Sequence, residues 1–126
     1  MLKKISLIIV LGLFLISGCT LRDSIKEYRA EKIQLQHPNW DEITVQKTAT
    51  RQVEIGMTAD MVAASLGQPD SITRDGDEEK WGYAIQQTRG LGDVHYKFVY
   101  FVYIKNGLVI KTVGNRRDLA TLSWYE

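Results

Sequence analysis

The strongest constraint on the fold lies between His95 and Val113. Tyr96, Phe98, Tyr100, Val102 and Ile104 are all apolar, while His95, Lys97, Val99, Phe101, Tyr103 and Lys105 between them mix charged and apolar side chains. Side chains alternate across a strand, so the run reads as one long strand with an apolar even-numbered face. Asn106-Gly107 follows, the dipeptide best suited to a two-residue type I′ turn, and Leu108 to Val113 returns as the partner strand. A two-residue loop sets Tyr103 opposite Ile110 and Phe101 opposite Thr112. The even-numbered face is therefore expected to carry the core. Val99, Phe101, Tyr103, Leu108 and Ile110 then form an apolar patch on the other face. Either this patch contacts a partner, or the terminal segment or an early helix covers it.

The elements upstream are punctuated with unequal clarity. Lys80 to Gln87 alternates, with Trp81, Tyr83 and Ile85 on one face. Asp75-Gly76-Asp77 signals a turn before it, and Asp70 to Thr73 opens the strand region. Thr88 to Val94 contains Arg89-Gly90-Leu91-Gly92-Asp93, a loop. Thr58 is a good helix N-cap, Asp60 suits the first turn, and Val62, Ser65 and Leu66 hold one face. Gly67 and then Pro69 end that helix. Pro38 to about Arg51 reads as another helix, with Trp40, Ile43 and Val45 among its apolar positions. Thr20 to Gln36 is charged, with Leu21, Ile25, Tyr28 and Leu35 at helix-like intervals; a frayed helix and a flexible tether both fit. Asn115 to Glu126 ends in Leu119, Leu122, Trp124 and Tyr125, a tail expected to dock on the core.

The leader sets the address. Met1-Leu2-Lys3-Lys4 precedes an aliphatic run from Ile5 to Ile16, then Ser17, Gly18 and Cys19. A basic start, a short apolar stretch and small residues at a cut site describe a secretory signal peptide, and the run falls short of the ~20 residues of a spanning helix. Ile16-Ser17-Gly18-Cys19 resembles the bacterial lipobox. That resemblance implies removal of residues 1–18 and makes Cys19 the first mature residue and a lipid carrier. Several acyl chains at ~0.8 kcal/mol per buried CH₂ would make release negligible. Thr20 in place of Asp favours outer-membrane sorting where the source has that membrane.

Composition excludes more than it proposes. With 16 Lys+Arg against 15 Asp+Glu in 126 residues, the basic excess of a nucleic-acid binder is missing. One Cys and two His nearly exclude a His/Cys zinc site of four ligands, and no intrachain disulfide is possible. Asp75, Asp77 and Glu79 mimic the start of a calcium loop, but Lys80 and Gln86 stand where Gly and Glu are needed, so a solvated hairpin turn is expected. His37 precedes a proline and reads as a turn residue. His95 alternates with Lys97 and reads as a surface residue. No nucleophile, base and orienter can be drawn together, so no catalytic residue, metal site or cofactor is expected beyond the covalent lipid at Cys19.

Gly56-Met57-Thr58, Val62, Leu66-Gly67 and Pro69 together resemble the signature of the SmpA/OmlA (BamE-like) small outer-membrane lipoproteins. Trp81-x-Tyr83 and the strand–Asn106-Gly107–strand ending are similar to that family as well. The resemblance covers roughly residues 53–113 and implies an α+β fold. Two helices would pack on one face of a small antiparallel sheet of about three strands, in the order helix-helix-strand-strand-strand, with an additional N-terminal helical or tether segment. The organisation expected is a signal peptide at 1–18, a tether or frayed helix at 19–37, the SmpA/OmlA-like domain at 38–114 and a docked tail at 115–126.

The expected role is that of a non-catalytic lipoprotein on the periplasmic face of the outer membrane, an accessory in envelope integrity or β-barrel assembly. Its partners would be the membrane, through the anchor, and envelope proteins, with barrel-assembly subunits among the candidates. A different class is also open: a periplasmic binding or inhibitory module recognising an envelope enzyme, peptidoglycan or a small ligand. In that case Trp81, Tyr83, Tyr96 and Tyr100 would line a pocket. A concave aromatic site would favour the second reading and a flat patch the first.

Overall fold

A computed structural model describes the backbone of residues 20–121 and side chains over 24–119. The leader, Cys19 and residues 122–126 lie outside the described residues. The chain divides into two compact units, Met1–Thr50 and Arg51–Glu126.

In the first unit, α1 spans Thr20–Gln36 and α2 spans Glu42–Ala49. The N-terminal segment is thus helical through Gln36. Pro38 does not open the second helix as expected. It lies in a turn, and the cap is Asp41, whose carboxylate accepts the Thr44 N–H at 2.8 Å. Hydrogen bonding from the Thr44 side chain, and then from its backbone N–H, holds the Asp41 carboxyl below its ordinary pKa. The turn is held from α1: the Gln34 side-chain amide donates to the carbonyls of His37 and Trp40 at 3.3 and 3.4 Å. The His37 ring stacks on Trp40 with centroids 3.7 Å apart. Ala30 and Ile33 pack on Val45 and Ala49, with Trp40 alongside. Thr48 is fully buried, and its hydroxyl donates back to the Thr44 and Val45 carbonyls. A helical threonine satisfied this way leaves no orphan donor in the core.

The second unit runs α3 (Ala59–Leu66), β1 (Ser71–Asp75), β2 (Glu78–Thr88), β3 (Val94–Lys105), β4 (Leu108–Gly114) and a 3₁₀ turn at Arg116–Thr121. The sheet is antiparallel in the order β1-β2-β3-β4, one strand more than the three expected. The added strand is β1, closed onto β2 by the Gly76-Asp77 turn, with Asp75 opposite Glu78. The calcium-like acidic spacing therefore straddles a hairpin, as its sequence suggests.

Met57, Val62, Trp81, Tyr83, Tyr100, Val102, Ile104 and Val109 form the core of this unit, with Ala59, Met61, Ala63, Leu66 and Leu119 packed against it. Thus α3 and the terminal turn close one face of the sheet. Thr58 caps α3, accepting from the Met61 N–H at 3.3 Å, and Gly67 ends it at φ 85°. The loop before α3 is tied to the edge of β4. Val109 donates to the Met57 carbonyl and accepts from Gly56, both at 2.8 Å. That pairing covers part of an edge that would otherwise present unpaired backbone groups.

Two irregularities decide which side chains share a face. Tyr83 pairs with Tyr100, but Ala84 pairs with Phe98, so Val99 is an extra residue in β3. Tyr103 pairs with Lys111, but Ile104 pairs with Val109, so Ile110 is an extra residue in β4. A bulge of this kind reverses the facing of everything beyond it. Three expectations are corrected accordingly. Tyr103 opposes Lys111, not Ile110. Phe101 opposes Val113, not Thr112. Tyr96 and Phe98 do not join the core with Tyr100, Val102 and Ile104; they are 69% and 42% exposed.

Candidate functional site

The sheet face opposite α3, which no described residue of this unit closes, is built in cross-strand rows. Ser71, Gly82, Phe101 and Val113 make one row, and Thr73, Lys80, Tyr103 and Lys111 the next. Beyond the β3 bulge, Phe98 joins the first row from the side. Its ring lies 6.0 Å from that of Phe101 at an interplanar angle of 17°. Gly82 makes this possible: a Cβ there would stand 2.9 Å from the Phe98 ring and 2.5 Å from the Ser71 hydroxyl. A glycine facing an aromatic across the strands gives the ring a flat backbone seat. The Lys80 ammonium sits 4.3 Å from the Phe101 centroid and 5.7 Å from that of Tyr103, and Lys111 sits 4.3 Å from Tyr103 on its other flank. Such cation–π contacts contribute ~0.5–1 kcal/mol at exposed sites.

Of the expected patch, Phe101 and Tyr103 stand at the centre, half-buried, and Leu108 and Ile110 lie exposed on β4. Val99 does not share that face. At the bulge it packs against the core cluster. Phe98, Gly82, Lys80 and Lys111 belong to the site but do not follow from strand alternation. Gly114 offered a signal: a glycine within a strand often marks a bulge or a close backbone approach. Its φ is 102°, and a Cβ there would lie 2.2 Å from the Val99 carbonyl oxygen.

The aromatic pocket of the alternative reading is not assembled. Trp81, Tyr83 and Tyr100 are buried in the core, and Tyr96 is exposed and pairs with Gln86. The Trp81 indole N–H donates to the Glu79 carboxylate at 2.9 Å. The Tyr83 hydroxyl donates to the Gly67 carbonyl at 3.0 Å. Burial, aided by the negative charge of Asp70, raises the Tyr83 phenol well above its ordinary pKa. His95 does meet an acid, the Asp93 carboxylate at 3.0 Å, but both are exposed at the far end of the β2–β3 hairpin. A separate apolar strip lies on α1, where Tyr28, Glu31, Lys32 and Leu35 line a shallow groove.

The residues of the 56–69 signature do structural work. Gly56 and Met57 bind the β4 edge, Thr58 caps α3, Val62 is fully buried, and Gly67 accepts from Tyr83. No helix of the described residues is long and apolar enough to cross a membrane. These features define a class: a small α+β domain with one sheet face closed by a helix and the other not closed by any described residue of the same unit. Residues 43–112, more than half of the chain, match the family model described as the outer membrane protein assembly factor BamE domain. The chain belongs to that family, and the resemblance read at residues 56–69 is borne out. No curated protein matches it significantly.

Proposed function

We propose that this protein is a lipid-anchored accessory subunit of outer-membrane protein assembly, and that it docks on its partner through the open sheet face. The single observation that carries the docking surface is the cluster of exposed Phe98 with half-buried Phe101 and Tyr103 on a bulged, otherwise regular sheet. Aromatic rings that a fold does not use for its own core are the side chains that dominate protein interfaces. Leu108, Ile110 and Val113, each more than 40% exposed, extend the surface toward β4. Family membership supports the assembly role. The lipobox-like Ile16-Ser17-Gly18-Cys19 supports an acyl anchor at Cys19, which would hold the domain on the periplasmic face of the outer membrane. Its contribution to envelope integrity would be scaffolding without catalysis.

The test replaces Phe101 and Tyr103 with Ser in the full lipidated chain and measures co-purification with assembly subunits after in-cell crosslinking. Capture is expected to fall at least tenfold, in line with loss of interface aromatics. The far-ultraviolet circular dichroism should stay that of the parent. Loss of the folded signal would instead assign both residues to the protein's own stability. Unchanged capture would remove the face from the interface.

A further inference from the structure

We infer that the open sheet face recognises an acidic segment of its protein partner, in which carboxylates flank an apolar side chain. This inference rests on the docking reading above and adds the chemistry of the surface being read. Lys80 and Lys111 are the only charged groups in the two central rows of the face. They bracket Tyr103 from either side, and Lys80 also covers Phe101. The acids of this face, Asp75 and Glu78, stand in the marginal row beside the hairpin turns, where Lys105 opposes Glu78. Among the described residues the sheet's ion pair is Arg74–Glu79, and neither central lysine takes part.

The chain as a whole is nearly neutral, with 16 basic and 15 acidic residues. A pair of cations at the middle of an aromatic face is therefore a local arrangement and not a reflection of bulk charge. Ring contact restricts each lysine, while Lys111 stays exposed and Lys80 half-buried. A lysine already held in place loses less side-chain entropy when a carboxylate arrives. The Tyr103 ring lies between the cations, and Phe101, Phe98 and the Gly82 backbone extend that apolar seat along the neighbouring row. The complementary surface is an apolar side chain for the seat, with Asp or Glu on both sides of it. Such pairing sets orientation and the rate of association as well as affinity.

The test uses the full lipidated protein in outer-membrane fractions treated with a water-soluble carbodiimide, which joins an amine to a carboxylate only where the two touch. The bonds are then located by mass spectrometry. Isopeptide links from Lys80 and Lys111 to Asp or Glu of an assembly subunit are expected. Lys80→Met and Lys111→Met together keep the apolar stems over the rings and remove only the charges. This double variant should capture the subunit about tenfold less, and Lys80→Arg with Lys111→Arg should restore most of it. Links from other surface lysines but none from these two would overturn the inference. So would methionine variants that capture at the parental level, even with the docking reading intact. A photoreactive residue in place of Tyr103 separates the two claims. If it reaches a subunit segment lacking carboxylates, the acidic inference fails alone. If it reaches only phospholipid, or no assembly subunit, the docking reading falls with it.

Discussion

Gly67 joins three roles in one residue. It ends α3, its carbonyl accepts the Tyr83 hydroxyl, and its backbone lies at φ 85° and ψ −176°. Only glycine populates that region without strain, whereas a Cβ at this position would meet nothing within 4 Å. Gly67→Ala is therefore expected to destabilise by about 1–3 kcal/mol through conformation alone, read as a shift in the urea midpoint. Gly114→Ala adds a clash with the Val99 carbonyl to a similar strain and should cost more. Tyr83 makes a second residue-level prediction. The folded protein holds the phenolic proton more tightly than the unfolded chain does. The stability this contributes is complete below the ordinary tyrosine value of about 10 and is lost as pH rises toward the higher folded value. Tyr83→Phe should flatten that alkaline decline in a pH series of urea unfolding. At neutral pH it should cost ~1 kcal/mol for the lost hydrogen bond.

Elements were legible where local chemistry governs them. The α3 cap and stop, the Gly76-Asp77 turn and the Asn106-Gly107 turn all depend on residues within a few positions. Asn106 at φ 52° and Gly107 at φ 77° show the positive angles that dipeptide was expected to take. The α2 start was misplaced because Pro38 suits both a first helical turn and a plain turn, and the Gln34 contacts favour the second. The facing of Tyr96 and Phe98 was not legible by alternation. A bulge is set by how two strands pack, and counting by twos has no place for an inserted residue. The same limit hid the lysines, because Lys80 meets Tyr103 only through cross-strand register. Gly82→Ala tests this account of the face. The new methyl would push against the Phe98 ring, so the near-ultraviolet dichroism of the aromatics should change while the far-ultraviolet signal stays.

At the scale of the molecule, the 56–69 signature and the open face divide the labour. The signature pins a helix to one side of the sheet and to the β4 edge, which explains why a family resemblance could be read there while the contact surface could not. Thr58 and Gly67 start and stop α3 through local geometry, which sequence shows; the face draws on β2, β3 and β4 at once. The proposed address is a separate matter and rests on the lipobox-like Ile16-Ser17-Gly18-Cys19. On the proposed acyl anchor, Cys19→Ser should move the protein from the membrane pellet to the soluble periplasmic fraction, and retention in the pellet would contradict that anchor.

The most direct measurement places a photoreactive amino acid at position 103 and, in a separate strain, at Ile55, an exposed apolar residue outside the sheet. Both are illuminated in living cells, and the adducts are identified by mass spectrometry. The account predicts an assembly-subunit adduct from position 103 and little or none from position 55. Equal adducts from both positions, or an assembly adduct from position 55 alone, would contradict it.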